Sequence, residues 1–305
     1  MTGAPLILGC DFSSSPSRRK PVVLALGELF LPSLPGKNGT NPASNGRLLL
    51  LKLDRFATLD AFAAWLDTRR QPWVGGFDLP FGLPRELVET LGWPTDWLEC
   101  LRHYAGLSRA DIRTRFAAFC AARPAGGKFA HRATDGPAGS SPSMKWVNPP
   151  VAFMLHAGVP LLIDAGAHLP GLHAGNPDRV ALEAYPGVLA REILEAIDVR
   201  LGRPVRRSYK SDDRVKQTPE RLIARKDLIT ALEHGQTRLG LNLKLTHAQR
   251  DALADDPSGD SLDAVLCLVQ AAWAARQQAD GTGPPDGPGW GLPAFDPLEG
   301  WIVTS

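Results

Sequence analysis

The acids of this chain fall where acids are costly. Asp11 closes the apolar run Pro5–Asp11 (PLILGCD), Asp78 closes Pro72–Asp78 (PWVGGFD), and Glu183 stands near the end of Arg179–Tyr185 (RVALEAY). Aspartate is depleted in strands, and an unpaired buried charge is expensive enough that a fold normally avoids it. Asp260 and Asp263 add a pair at i and i+3 in the first turn of the apolar segment Asp260–Arg276. Such a pair shares one helix face, at the helix end whose dipole favours negative charge. If the strands carrying Asp11, Asp78 and Glu183 run parallel, these acids converge at one sheet edge, outside the strands' carboxyl ends, where open sheets bind ligands. Carboxylates from four elements repel unless a cation sits among them, and hard divalent ions such as Mg²⁺ or Mn²⁺ take oxygen ligands. Two such ions are the usual device for in-line phosphodiester cleavage. Asp11, Asp78, Glu183, Asp260 and Asp263 are therefore the candidate catalytic residues, with Asp11, Asp78 and Asp263 the candidate metal ligands.

Each has a plainer alternative. Asp11, ahead of Ser13-Ser14-Ser15-Pro16, could form an Asx turn. Asp78, ahead of Leu79-Pro80, could be a turn acid, and Asp260 could be a helix N-cap.

Candidate substrate contacts are basic. Residues 200–226 hold ten Lys or Arg and three acids, an excess of seven charges in a chain whose net charge is +2. Arg206, Arg207 and Lys210 belong to that segment and would suit phosphate backbones. The alternative is a solvated helix face laced with ion pairs. Arg18 and Lys20 follow Asp11 closely and could meet a scissile strand or simply make a turn. His131, in a long polar loop, is a candidate proton shuttle or a structural histidine. Trp93 and Trp97 read as core residues of a helical region, not stacking platforms.

The elements that must position these side chains follow from periodicity. Pro5–Asp11, Pro21–Phe30 and Gly46–Leu53 read as three successive strands with short connections, which favours an antiparallel meander. Asp60–Arg69 has helical spacing and leads to Pro72–Asp78, and a strand reached through a helix is usually parallel to an earlier neighbour. Residues 85–122 look helical, and 123–150 form a long polar loop of the kind that often serves as a lid. Arg179–Tyr185 is a further strand, and Pro186 opens a helix in the position where proline is tolerated. Residues 218–234, 246–254 and 260–276 read as helices, and Glu299–Thr304 as a closing short strand. The expectation is one α/β domain over residues 1–305, with a helical and loop insertion at about 85–150.

Composition narrows the classes. With 305 residues, 44% of them hydrophobic, the chain can bury a large core and is not a disordered polymer. Its 30 Gly and 27 Pro argue against a coiled coil or simple bundle. No apolar run reaches the ~18–20 residues of a membrane span, so no membrane partner is expected. The first residues lack a basic n-region and cleavage site, so no signal peptide is expected and the sequon Asn38-Gly39-Thr40 should be irrelevant. Cys10, Cys100, Cys120 and Cys267 are too far apart for a CxxC zinc pattern and read as buried thiols, which fits a reducing cytoplasm.

The segments GCDFSSSPSRRKPVV, FDLPFGLP, HRATD, LEAYP, YKSDDR and SLDAV, with a terminal EGWI, occur in an order that resembles domain-of-unknown-function family 429. The resemblance runs from Asp11 to Trp301. That family is regarded as predicted nucleases of the RNase H fold. The resemblance implies a mixed sheet of order 3-2-1-4-5 with flanking helices, and acids on the first strand, the fourth strand and the last helix. Asp11 and Asp78 match the strand acids. Asp260 and Asp263 look like the closing helix of Holliday-junction resolvases, while Glu183 lacks a secure counterpart. The function expected is a metal-dependent nuclease using Mg²⁺ or Mn²⁺ on nucleic acid. A second class is an actin-like phosphotransferase or ATPase, but Phe12-Ser13-Ser14-Ser15-Pro16 offers no glycine for phosphates, and Gly36–Thr40 lacks Walker spacing. A third is a catalytically silent binding module of the same fold.

Overall fold

The computed structural model describes residues 4–31, 46–124, 126–203 and 207–305. The sequon at 38–40 and Arg206 lie outside the described residues. In chain order the elements are β1 (Leu6–Asp11), β2 (Val22–Phe30), β3 (Gly46–Phe56), α1 (Leu59–Thr68), β4 (Trp73–Asp78), α2 (Arg85–Thr90), α3 (Trp97–Ala105), α4 (Arg109–Ala121), α5 (Asp135–Ala138), α6 (Val151–Asp164), β5 (Ala167–His168), β6 (Asn176–Glu183), α7 (Pro186–Leu201), α8 (Pro219–Glu233), β7 (Leu241–Lys244), α9 (His247–Ala254) and α10 (Asp260–Asp280).

The fold is α/β, with one mixed seven-stranded sheet flanked by helices, in the order β5-β6-β4-β1-β2-β3-β7. This differs from the five-stranded order expected. Its middle reads β3-β2-β1-β4-β6, and a short strand is added at each edge. The added strands are two and four residues long, too short to leave a periodic pattern in the sequence. β1, β2 and β3 form the antiparallel meander, and every other pairing is parallel, so β2 alone runs against the rest. β1 and β4 lie at the centre and are buried on both faces, which is why they read as unbroken apolar runs and not as alternating ones.

Two hydrophobic layers cover the sheet. One is built on Leu8, Cys10 and Phe77 and takes α1 and the helices α2, α3, α4 and α6, which fill most of the chain between β4 and β5. The other is built on Ile7, Val23, Val74 and Leu182 and takes α7, α8 and α10. All four cysteines are buried and unpaired. Glu299–Thr304 is not a strand. It crosses the end of β6 in turns, with the Val303 amide bonded to the Glu183 carbonyl at 2.8 Å. Among the described residues no helix is long and apolar enough to cross a membrane.

The contact that positions the site is between α10 and the central strands. A Cβ on Gly9 would stand 2.1 Å from the Ala264 carbonyl oxygen and 2.1 Å from the Leu268 amide nitrogen. A Cβ on Gly76 would stand 2.6 Å from the Cys267 carbonyl oxygen. Helix backbone therefore rests directly on strand backbone, and only glycine leaves the room. Because the obstructing atoms are backbone, no rotamer change relieves them. Gly9→Ala should accordingly cost ~3 kcal/mol or more, at or beyond the upper end for overpacking, with the loss read as a lower urea midpoint at unchanged slope.

Candidate active site

Asp11 and Asp78 are the last residues of β1 and β4, and the register makes them direct Cα partners. Neighbours on parallel strands point to the same face, so both carboxylates project to the side that carries α10. The first turn of α10 supplies Asp263, which is fully buried. That turn is held in place by Asp256. Its carboxylate accepts from the Ser261 amide at 2.9 Å, the Ser261 hydroxyl at 2.6 Å and the Ser258 hydroxyl at 2.7 Å. Arg55 of β3 donates to the same Ser261 hydroxyl at 2.6 Å. The N-cap residue is Gly259, with φ 78°, so Asp260 is not the cap and its side chain lines the cleft instead.

These carboxylates are close enough to disturb one another. Burial pushes the Asp11 carboxyl well above the usual range, and the charges of Asp263, Asp78 and Asp260 push it further. Burial likewise raises Asp78 to about 7, with Lys210 opposing and Asp263 and Glu183 adding to the rise. Asp260 is also raised, chiefly by burial, with Lys20 opposing. The counter-charge is Lys210, whose ammonium donates to one oxygen of Asp263 while the Tyr209 hydroxyl donates to the other. Burial works against the charge on Lys210, but Asp263, Tyr209 and Asp11 outweigh it and hold the ammonium protonated.

The acids open onto a cleft of about 860 Å³. Asp11, Asp78, Asp260, Lys20 and Lys210 line it, together with Ser13, Ser14 and Ser15 from the loop leaving β1. Lys20 is paired across the rim with Asp212 at 2.8 Å.

Glu183 lines the same cleft but does not join the aspartates. It is level with Phe77, so its side chain leaves the opposite face of the sheet from Asp78. Its carboxylate takes both arms of the buried Arg132 guanidinium, at 2.7 and 2.8 Å, and accepts from the Phe81 amide at 2.9 Å. Arg132 also donates to Asp135 and to the Glu299 carbonyl at 3.0 Å. The Glu299 carboxylate in turn accepts from the amides of Arg85 and Ala133, at 2.9 and 2.8 Å. Glu183 is thus the anchor of a clamp that pins the loop after α4, and that loop is tethered to the sheet edge, contrary to the free lid expected.

The basic contacts also need correction. Arg18 and His131 are exposed and do not line the cleft. Arg207 is committed to Asp198 at 2.7 Å and Asp227 at 2.9 Å, because its helix neighbours supply a buried acid that needs a partner. Arg221 and Arg225 are bonded to the Lys210 and Tyr209 carbonyls. Much of the 200–226 excess therefore holds the Tyr209–Lys210 segment in place, and of the described residues in it, Lys210 alone brings a positive charge to the cleft. Tyr209, Arg132, Arg109 and Arg113 were not anticipated. The i,i+4 spacing of Arg109 and Arg113 and the i,i+3 spacing of Arg132 and Asp135 were the available signals.

No protein-family model, curated protein or solved structure matches this chain.

Two measurements check this geometry. An acid whose folded pKa exceeds its unfolded value of ~3.9 binds its proton more tightly when folded, so stability is present below ~pH 4 and falls as pH rises toward 7. Asp78→Asn should therefore unfold at a higher temperature than the parent at pH 8, with the difference shrinking at pH 4. On the other face, Arg132→Ala leaves Glu183 buried and unpaired and should cost about 3–5 kcal/mol. Arg132→Met with Glu183→Leu and Asp135→Asn removes all three charges and should recover a substantial part of that loss in urea unfolding.

Proposed function

We propose that the chain is a divalent-metal-dependent phosphodiesterase of nucleic acid, a nuclease on an RNase H-like sheet, as the resemblance to family 429 implies. The observation that carries this reading is the placement of Asp11, Asp78 and Asp263 at one sheet edge, near enough that the charge of Asp263 raises the pKa of the other two. Two are registered neighbours at the ends of parallel strands, and the third comes from the helix that crosses them.

The donor set suits a hard cation. It is made of carboxylate oxygens alone, the neighbouring acids raise the proton affinity of Asp11 and Asp78, and the Lys210 ammonium lies among them. Asp11, Asp78 and Asp263 would hold Mg²⁺ or Mn²⁺, with Asp260 at the cleft side. Bound there, such an ion supplies Lewis-acid stabilisation of charge on a phosphoryl oxygen. Among the described residues no three His, Cys, Asp or Glu side chains already converge as a finished metal site. Asp263 is instead turned to Lys210 and Tyr209, so taking up an ion requires that it exchange the ammonium. Tyr209 keeps one oxygen of Asp263 oriented while the other is released. Lys210, freed toward the cleft, remains as a cation beside the substrate phosphate. The Ser13–Ser15 hydroxyls border the same space and can hydrogen-bond phosphate oxygens.

The test uses labelled DNA and RNA oligonucleotides with Mn²⁺. The parent should cleave at least one, and Asp11→Asn should lose a thousandfold or more while remaining folded, in line with the several kcal/mol of charge stabilisation a metal provides. Mn²⁺ should raise the parent's melting temperature through binding linkage and leave that of the variant nearly unchanged. Wild-type turnover by Asp11→Asn removes Asp11 from the mechanism, and a parent inert on every oligonucleotide ends the reading.

A further inference from the structure

Far from the basic segment that the charge count singles out, the cleft has a second cationic wall. Arg109 and Arg113 project from the first turns of α4 at i and i+4, and both line the cleft. Their guanidinium carbons lie 5.0 and 5.2 Å from the centre of the buried Phe153 ring, so one apolar floor carries both. Among the described residues neither makes an ion pair with a carboxylate, in contrast to Arg85, Arg123, Arg132, Arg203 and Arg207. Arg109 is oriented without being neutralised. It donates to the Ser15 hydroxyl at 2.8 Å and the Ser14 carbonyl at 2.6 Å, on the loop that leaves Asp11. Arg113 is exposed and makes no hydrogen bond among the described residues.

We infer that Arg109 and Arg113 form a phosphate subsite that holds a nucleic-acid strand at a backbone phosphate flanking the one presented to the aspartates. This rests on the phosphodiesterase reading and adds to it the class of substrate, a strand with several phosphates and not an isolated phosphodiester. Guanidinium forks match phosphate oxygens two at a time, and a pair already laid on an aromatic floor loses little freedom on binding. Ser14 is three steps along the chain from Asp11, so their Cα atoms lie within about 11 Å, the reach of an extended chain. That places the arginines within a few nucleotides of a phosphate at the acids, since one strand advances ~3.4 Å per nucleotide.

The probes are fluorescent dT12 and U12, with binding followed by anisotropy in EDTA from 50 to 200 mM salt. Arg113→Gln should weaken binding of at least one probe by about tenfold, the worth of a charge-assisted hydrogen bond. Arg109→Gln with Arg113→Gln should weaken it further and lower the slope of log K against log salt by about 1.4, two contacts on a single strand. Arg102→Gln with Arg200→Gln removes the same charge from exposed positions off the cleft and should leave the slope unchanged. The single Arg113 variant guards against a folding defect, because that side chain has no hydrogen bond to lose. Equal affinity and slope in parent and double variant overturn the subsite, as does an equal loss in the off-cleft control or a parent that binds neither probe. A parent that binds through these arginines yet cleaves nothing in Mn²⁺ keeps the subsite and ends the phosphodiesterase reading. A parent that cleaves while the double variant binds unchanged does the reverse.

Discussion

Everything at the sheet edge depends on how closely α10 lies on β1 and β4. Helices normally pack on a sheet through side chains, at a distance that would leave a first-turn aspartate well clear of the strand ends. Here Gly9 and Gly76 remove the side chains under the helix, and the carbonyls of Ala264 and Cys267 descend onto strand backbone. The helix is buried from Ser261 to Ala272 as a result. Asp263 then has no route to water and must face Asp11 and Asp78. The glycines are thus as much a part of the acid cluster as the acids, although they carry no chemistry.

The two faces of the same edge resolve buried charge in opposite ways. Below, Glu183 and Asp135 face a guanidinium with enough donors to satisfy both, and backbone amides complete the set. Such a network is stable only while every member is present, because a buried partner left alone is costly. Above, several carboxylates share one lysine, and the pKa of Asp78 is displaced to about 7. One face is closed, with its buried acids held by the Arg132 guanidinium and backbone amides, and it holds together three distant segments around residues 81, 132 and 299. The other carries Asp11, Asp78, Asp260 and Asp263 against the ammoniums of Lys210 and Lys20, the second of which is also paired with Asp212. On the proposed reading, that excess of carboxylates is what a divalent cation would offset.

The strand acids were legible because central parallel strands are apolar throughout, so a terminal Asp at 11 or 78 stands out against its run. Asp263 was legible from its i,i+3 placement in an apolar helix. The side to which Glu183 points was not, since it depends on register, and a one-residue shift in pairing reverses every side chain of a strand. β5 and β7 were invisible because two and four residues carry no period. The basic segment misled for a different reason. Counting charges in a window treats each as available, whereas Arg207 and Arg225 are held by partners brought close only by folding.

The same distinction explains why a chain of net charge +2 can still present a cationic surface to a polyanion. What matters to a ligand is charge without an internal partner, and total charge does not measure it. Arg85, Arg123, Arg132, Arg203 and Arg207 are each paired with carboxylates, and those charges cancel within a few ångströms. Among the described residues Arg109 and Arg113 have no carboxylate partner, and they lie over the Phe153 ring, which orients a guanidinium through its quadrupole but leaves its formal charge intact. With Lys210 near the acids and the arginine pair bonded to the Ser14–Ser15 segment through Arg109, the cleft is lined by both carboxylates and cations. A phosphate chain would meet those acids less unfavourably once a divalent ion reversed the sign there. If the chain binds both as proposed, metal binding and strand binding are coupled through this cleft, and each should strengthen the other.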